Sequence, residues 1–413
     1  MKKQHDYQRN IKSYAIDLLM YFPVLAIVGA RQVGKTSLAK AIAPDFRYFD
    51  LENNSDHEQI DYDPELFFKE HPEKIILDEA QLLPKLFSLL RGVVDEKRQQ
   101  KGRFIITGSS SPELLQNISE SLAGRIAIIE LGTLKANEFY RNPLSDFYHI
   151  FQHTLNKNEI KIQTPFLSLQ QLQQFWFMGG YPEPILHHNK KFYQAWMRNY
   201  QSTYINRDIA KLFPKLNKIA YRQFLSMLGK LSNQIVNKSN LANALSVSER
   251  TIANYLEIAS GTYLWRQLPS YEKNNLKSIV KMPKGYIRDS GLLHHLLHID
   301  SLEALQGNPD RGFSFEAFVI EEILKGIQDA QIQDFESYFY RTRNGAEIDL
   351  ILEGRFGLLP IEIKYGIQVN RAKLKSLSDF IKNNHCSFGI VINQSDRIIW
   401  LTENIIQIPA GYL

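Results

Sequence analysis

Gly29-Ala30-Arg31-Gln32-Val33-Gly34-Lys35-Thr36 fits the pattern Gly-x-x-x-x-Gly-Lys-Ser/Thr, and the chemistry gives a reason for each fixed position. Gly29 and Gly34 let the backbone wrap a phosphate without Cβ clashes. The loop amides point inward as an anion nest. Lys35 reaches the β- and γ-phosphates and Thr36 supplies a Mg²⁺ ligand. The helix that follows aims its N-terminal dipole at the same phosphates. A second element, Lys74-Ile75-Ile76-Leu77-Asp78-Glu79, is an apolar strand ending in two acids. Asp78 suits the Mg²⁺ shell and Glu79 suits polarising an attacking water. Together they point to ATP or a related nucleotide bound with Mg²⁺, and to its hydrolysis.

Two further features extend this site. Phe104-Ile105-Ile106-Thr107 runs into Gly108-Ser109-Ser110-Ser111. Ser109 either contacts the γ-phosphate or water, or belongs to a Ser-rich turn with Pro112 opening a helix. Arg125 follows a helix that stops at Gly124. It reads as an arginine finger, in cis or from a neighbouring copy in a homo-oligomer, or as a surface charge near a helix C-terminus. The nucleotide-binding set is Gly29, Ala30, Arg31, Gln32, Val33, Gly34, Lys35, Thr36 and Ser37, with Asp78 and Ser109.

A second group of chemically capable residues lies near the C-terminus. In Leu359-Pro360-Ile361-Glu362-Ile363-Lys364, strand alternation places Glu362 and Lys364 on one face. Asp349, on the strand Ala346–Leu352, can join them, and Glu316, on a helix over 315–327, can complete the set. Two or three carboxylates and a lysine are what metal-assisted phosphodiester hydrolysis needs: Glu316, Asp349 and Glu362 as metal ligands, and Lys364 to orient water. The alternative is an ion-pair network in a fold that does not cleave. Arg341 and Arg343 are placed to contact a phosphate near this site.

These residues need scaffolds. Short apolar runs at Val24–Val28, Arg47–Leu51, Ile75–Leu77, Phe104–Thr107 and Ile126–Leu131 alternate with helical patterns. That pattern predicts a parallel sheet covered on both faces. Residues 1–20 read as an amphipathic lead-in helix. Residues 132–235, rich in Gln, Asn, Phe and Tyr, read as mostly helical. Ser239–Leu245 and Ser248–Leu256, joined at Ser246-Val247-Ser248, read as a helix–turn–helix with Ser239 and Ser248 as N-caps. Arg250, Thr251 and Asn254 face outward on its second helix. Leu264–Leu268 and Ser278–Val280 form a wing, with Lys273, Lys277, Lys281 and Lys284 near phosphates. This unit either contacts DNA or packs as a lid or protein-binding surface. Beyond residue 311 the pattern is α/β again, with strands at Ser387–Asn393 and Ile398–Leu401.

The bulk numbers set the frame. The chain has 413 residues, 44% hydrophobic and 23% charged, so it builds more than one domain with ordinary cores. A single cysteine, Cys386, excludes an internal disulfide or a cysteine-based zinc site and fits a reducing cytoplasm. A net charge of +5 permits double-stranded DNA as a partner without demanding it. No signal peptide is evident, and the apolar stretch Tyr21–Ala30 contains Pro23 and is too short for a membrane span.

Several stretches resemble a widespread prokaryotic family: residues 29–36, Leu77-Asp78-Glu79-Ala80-Gln81, Thr107–Ser110 and Leu122–Arg125. Gly179–Glu183, Tyr204–Asp208 and Tyr286–Asp289 continue the match in order. The family comprises ATPases of the AAA+ superfamily with a C-terminal domain of unknown function, and the likeness spans essentially the whole chain. A proline is common in that family where Ala30 stands here. The Asp…Glu-x-Lys pattern in turn resembles the restriction-endonuclease-like superfamily. The resemblances imply an α/β protein in three parts: a P-loop AAA+ ATPase domain (1–150), a helical connector with a winged helix–turn–helix (151–300) and a restriction-endonuclease-like domain (301–413). They imply ATP and Mg²⁺ as cofactors, and an ATPase whose nucleotide state controls a DNA-interacting C-terminal half. The alternative is a nucleotide-dependent switch or scaffold that binds without cutting.

Overall fold

The computed structural model describes residues 8–109, 120–160, 166–209, 213, 216–272, 282–342 and 345–413. Ser110, Ser111, Pro112, Lys273, Lys277, Lys281, Ser278–Val280 and Arg343 lie outside them. The chain divides into two compact units, Gln8–Thr133 with Glu257–Leu264, and Leu134–Leu256 with Trp265–Leu413.

The first unit is built on a parallel sheet of β1 (Val24–Gly29), β2 (Arg47–Asp50), β3 (Ile75–Asp78), β4 (Phe104–Ser109) and β5 (Ile126–Glu130). Its strand order is β2-β3-β4-β1-β5. β1 and β3 are buried along their whole length, as two-sided coverage requires. Helices over Lys35–Ile42 and Lys85–Glu96 pack on it through Leu38, Leu86, Phe87, Leu90 and Val94. All five expected strands are present. Among the described residues the lead-in helix runs over Lys12–Tyr21.

Lys218–Lys230, β6 (Gln234–Ile235), Lys238–Leu245, Glu249–Gly261, β7 (Trp265–Leu268) and β8 (Lys284–Ile287) run in the order helix, strand, helix, helix, strand, strand, all in the second unit but for the end of the helix Glu249–Gly261, which from Glu257 belongs to the first. The three strands form one antiparallel sheet with β8 in the middle. The strand that pairs with Trp265–Leu268 among the described residues is Lys284–Ile287. The first of the two turn-linked helices is capped by Asn237, whose side chain accepts from Asn240 N–H at 3.1 Å, and not by Ser239. Ser248 caps the second helix as expected.

A long helix, Arg311–Asp329, then precedes β9 (Phe335–Arg341), β10 (Glu347–Gly354), β11 (Gly357–Ile363), β12 (Gly389–Asn393), β13 (Ile399–Thr402) and β14 (Ile405–Pro409). These six strands form a mixed sheet in the order β13-β14-β12-β11-β10-β9. β9, β10 and β11 are antiparallel, and β11, β12 and β14 parallel. The helix Lys375–Asn384 packs Leu377, Phe380 and Ile381 on one face. The other face shares a core with the long helix through Phe315, Val319, Ile320 and Ile323. No helix among the described residues is long and apolar enough to cross a membrane.

Candidate functional site

In the first unit, β1 delivers the loop 29–36 at its C-terminal end. Gly29 has φ 153°, and a Cβ there would lie 2.2 Å from the Leu131 carbonyl oxygen, so no other residue fits. Gly34 caps the helix Lys35–Ile42 in a left-handed conformation. Arg9, which the sequence reading passed over, ties the loop down by donating to the carbonyls of Val33 (3.0 Å) and Gly132 (2.8 Å). Lys35 is buried, and its ammonium donates to the Gly29 (3.2 Å) and Ala30 (2.9 Å) carbonyls. Burial pushes its pKa down, while Glu79 and Asp78 pull it back up.

β3 ends at Asp78, two strands from β1. Its carboxylate accepts from Thr36 Oγ1 at 2.7 Å, which joins the two sequence elements directly. Tyr48 OH on β2 donates to the same oxygen at 2.7 Å, and Thr107 on β4 to the other. Burial and its bond to Asp78 push the Tyr48 phenol well above its ordinary pKa, so it stays a donor. Glu79 sits in a left-handed conformation (φ 53°), rare for a side-chain-bearing residue and common where function fixes a geometry. Its amide faces Thr107 Oγ1 at 3.4 Å. Tyr48 carried no motif, and Thr107, although it opens the stretch Thr107–Ser110, was given no role in the site.

The remaining expected residues spread more widely. Ala30, Gln32, Val33 and Ser37 fall in the loop and first helical turn as expected, and Ser109 ends β4 beside Gly29 in the register. Arg31 pairs with Glu52 at 3.0 Å on the surface. Arg125 is not brought to the loop. It precedes β5, whose first residue pairs with Val24, so it sits at the start of the strands, whereas Gly29 lies at their end, roughly 17 Å along at 3.3 Å per residue. Its guanidinium binds both oxygens of Asp95, at 2.7 and 2.8 Å. A finger role in cis does not fit this position.

In the second unit, Glu316, Asp349, Glu362 and Lys364 do come together, each delivered by the element expected. Asp349 accepts the Ile363 amide at 2.8 Å, and Lys364 pairs with Glu362. Burial first, and the neighbouring Asp349 second, raise the pKa of both Glu316 and Glu362. Two residues that the reading did not assign to this site join it. Asn233 Nδ2 donates to Glu316 Oε2 at 2.5 Å. Lys284, expected near phosphates, instead places its ammonium 3.9 Å from Glu316 and 3.7 Å from Asp349. Among the described residues, no three His, Cys, Asp or Glu side chains gather as a metal site. The expected ligand trio Glu316, Asp349 and Glu362 thus meets as an acid–lysine cluster, its charge balanced by ammonium groups. Arg341 pairs with Glu347 at 3.1 Å on the surface.

Two of the three later motifs meet each other. Asp289 Oδ2 accepts the Gly180 amide at 2.8 Å, and Tyr286 and Arg288 bind buried Glu321 on the long helix at 3.0 and 2.8 Å. Tyr204 stacks on Tyr200 in a buried aromatic group. These motifs hold the unit together.

Comparison with known proteins places the chain. An AAA domain matches residues 21–140, Domain of unknown function DUF8612 matches 169–303 and Domain of unknown function DUF4143 matches 311–413. The Mycobacterium tuberculosis protein Rv2008c is 30% identical over 400 residues, covering 95% of this chain and 81% of its own length, as is Mb2031c of Mycobacterium bovis. The chain belongs to their family. It is an AAA-type, ATP-binding ATPase with a C-terminal DUF4143 domain. The protein MJ1544 of Methanocaldococcus jannaschii is 24% identical over 254 residues, 60% of this chain and 52% of that one. Among solved structures, the Walker-type ATPase PABY2304 of Pyrococcus abyssi is 15% identical over 72% of this chain and 97% of its own, with a TM-score of 0.46. RuvB of Thermotoga maritima is 14% identical over 65% and 92%, with a TM-score of 0.27.

Proposed function

We propose that the ATPase domain hydrolyses ATP at one site formed by Lys35, Thr36, Asp78 and Glu79. The observation that carries this is the 2.7 Å bond between Thr36 and Asp78. It brings a hydroxyl and a carboxylate, both hard oxygen donors of the kind Mg²⁺ takes, to one point beside the loop. Thr36 and Asp78 would hold Mg²⁺ there, and the ion would neutralise charge on the phosphates. Lys35 and the loop amides from Ala30 to Ser37 hold the phosphate oxygens. Glu79, held off Asp78 by its left-handed backbone, accepts a proton from the attacking water and aligns it. Thr107 fixes the Asp78 carboxylate, and Ser109 stands at the strand tip where a γ-phosphate ends. Thr36→Ala tests this. ATP turnover falls by about 10²-fold and needs far more Mg²⁺. Unchanged turnover and Mg²⁺ dependence would remove Thr36 and Asp78 from the site.

The second unit supports the nucleotide-dependent switch better than the nuclease. The order helix, strand, helix, helix, strand, strand suits a winged helix, with Arg250 and Asn254 exposed on its second helix. The long helix followed by three antiparallel strands, a helix and a parallel strand suits a restriction-endonuclease-like core. Its acids face lysines, however, and form no metal site among the described residues. In this reading the unit binds double-stranded DNA or a protein without cutting. Purified full chain with Mg²⁺ or Mn²⁺, with and without ATP, leaves plasmid DNA intact. Cleavage that Asp349→Ala abolishes would restore the nuclease.

A further inference from the structure

Lys284 stands on the middle strand of its sheet, paired with Ile235 on one side and Leu268 on the other. Along β8, Lys284 and Tyr286, with Arg288 just beyond, project to one side by strand alternation. All three engage the long helix: Lys284 at Glu316, Tyr286 and Arg288 at Glu321. Arg266 on β7 adds a third donor to Glu321 at 2.9 Å, and Glu321 is buried. The strand that carries Lys284 is thus clamped to the helix that carries Glu316 by a separate buried ion cluster.

The donors to the acids come from the chain itself. Glu316 Oε2 accepts from Asn233, Asp349 Oδ2 accepts a backbone amide and Glu362 Oε1 accepts from Lys364, while the Lys284 ammonium lies at ion-pair distance from Glu316 Oε2 and Asp349 Oδ1 and Glu362 Oε2 is buried without a partner among the described residues. Asn233 is fixed in turn, since its amide donates to the Gly285 carbonyl at 2.7 Å, next to Lys284. A divalent cation bound at roughly 2.0–2.6 Å from these oxygens would have to displace the Lys284 ammonium, which is carried on a strand that two ladders and an ion cluster hold in place.

We infer that Lys284 is a tethered counter-cation that stands in for a divalent metal at the Glu316–Asp349 pair and keeps metal out. The inference rests on the non-cleaving reading above and gives that reading a cause. Removing the ammonium while keeping the stem (Lys284→Met) leaves two carboxylates facing each other, which is the condition for taking up a divalent ion.

Mn²⁺ binding to the full, nucleotide-free chain tests this, read by the loss of free-Mn²⁺ signal in electron paramagnetic resonance. Wild type, Asp349→Asn and Lys284→Arg bind Mn²⁺ alike. Lys284→Met binds it at least about tenfold more tightly. Adding Asp349→Asn to Lys284→Met removes the gain. An Asp349-dependent Mn²⁺ site in the wild type overturns the inference, as does a folded Lys284→Met chain that gains none. Should Lys284→Met fail to fold, the wild type against Asp349→Asn still decides: equal binding upholds the inference, and loss of a site overturns it. The two readings fail separately. Asp349-dependent Mn²⁺ binding without DNA cleavage sinks the tethered cation alone, whereas cleavage sinks the non-cleaving reading.

Discussion

The nucleotide site and the acid–lysine cluster both gather carboxylates, a lysine and hydroxyl or amide donors, yet they are assembled in opposite ways. The first is made at one end of a parallel sheet, where Thr36 follows the loop from β1 and meets Asp78 at the end of β3. Its lysine donates to loop carbonyls and leaves the acids to other partners. The second is made where two sheets and a helix converge, and its lysines neutralise its acids directly. In the first the carboxylate is held by neutral hydroxyls, while in the second the acids face ammonium groups and Glu362 Oε2 is buried without a hydrogen-bond partner among the described residues.

That contrast sets the largest expected effect. The second unit depends on buried ion clusters, so Glu321→Ala, which takes the carboxylate away from Arg266 and Arg288, costs about 3–5 kcal/mol. Thermal unfolding followed by near-UV circular dichroism shows an early transition, while ATP affinity at the other unit stays within about twofold. Equal loss of ATP binding would break the comparison.

A smaller effect concerns pH. Burial and Asp349 lift the Glu362 carboxyl from 4.5 to about 7. The folded state therefore holds a proton that the unfolded state releases between those values, and stability falls as pH rises through this window. Glu362→Gln removes that contribution. Denaturant midpoints between pH 4.5 and 7 flatten, by on the order of 1–3 kcal/mol. Glu316, shifted the same way, leaves a residual slope. An unchanged slope would mean that Glu362 titrates normally.

The smallest effect is expected at Arg125. Its pair with Asp95 lies near the surface and is screened by solvent, so Arg125→Ala leaves the unfolding midpoint nearly unchanged. ATP turnover per chain at high dilution does not change. A loss of turnover confined to concentrations where copies associate would assign Arg125 a role in trans.

The sequence made the nucleotide site legible because its residues sit in short contiguous runs whose spacing the phosphate chemistry dictates. Tyr48 escaped because a strand hydroxyl carries no pattern of its own, and Thr107 was seen in the stretch 107–110 but its bond to Asp78 depends on β4 lying beside β3. In the second unit Glu316, Asp349, Glu362 and Lys364 were legible from strand alternation and element order. Lys284 was misread as a phosphate contact because lysines are frequent from 273 to 284, and a lysine-rich stretch normally faces solvent. Asn233 lies 83 residues before its partner Glu316, on a turn of a different sheet, and no local periodicity connects them. Arg125 followed a plausible motif, but only the register of β5 against β1 reveals which end of the sheet it occupies.

The most direct test of the central claim is ATP turnover and ATP binding measured side by side on Glu79→Gln. The account predicts that turnover falls by roughly 10²–10³-fold with ATP bound as tightly as in the wild type, because Glu79 acts on water and Lys35 with the loop holds the nucleotide. Turnover that survives the change would contradict the assignment of the reaction to this site.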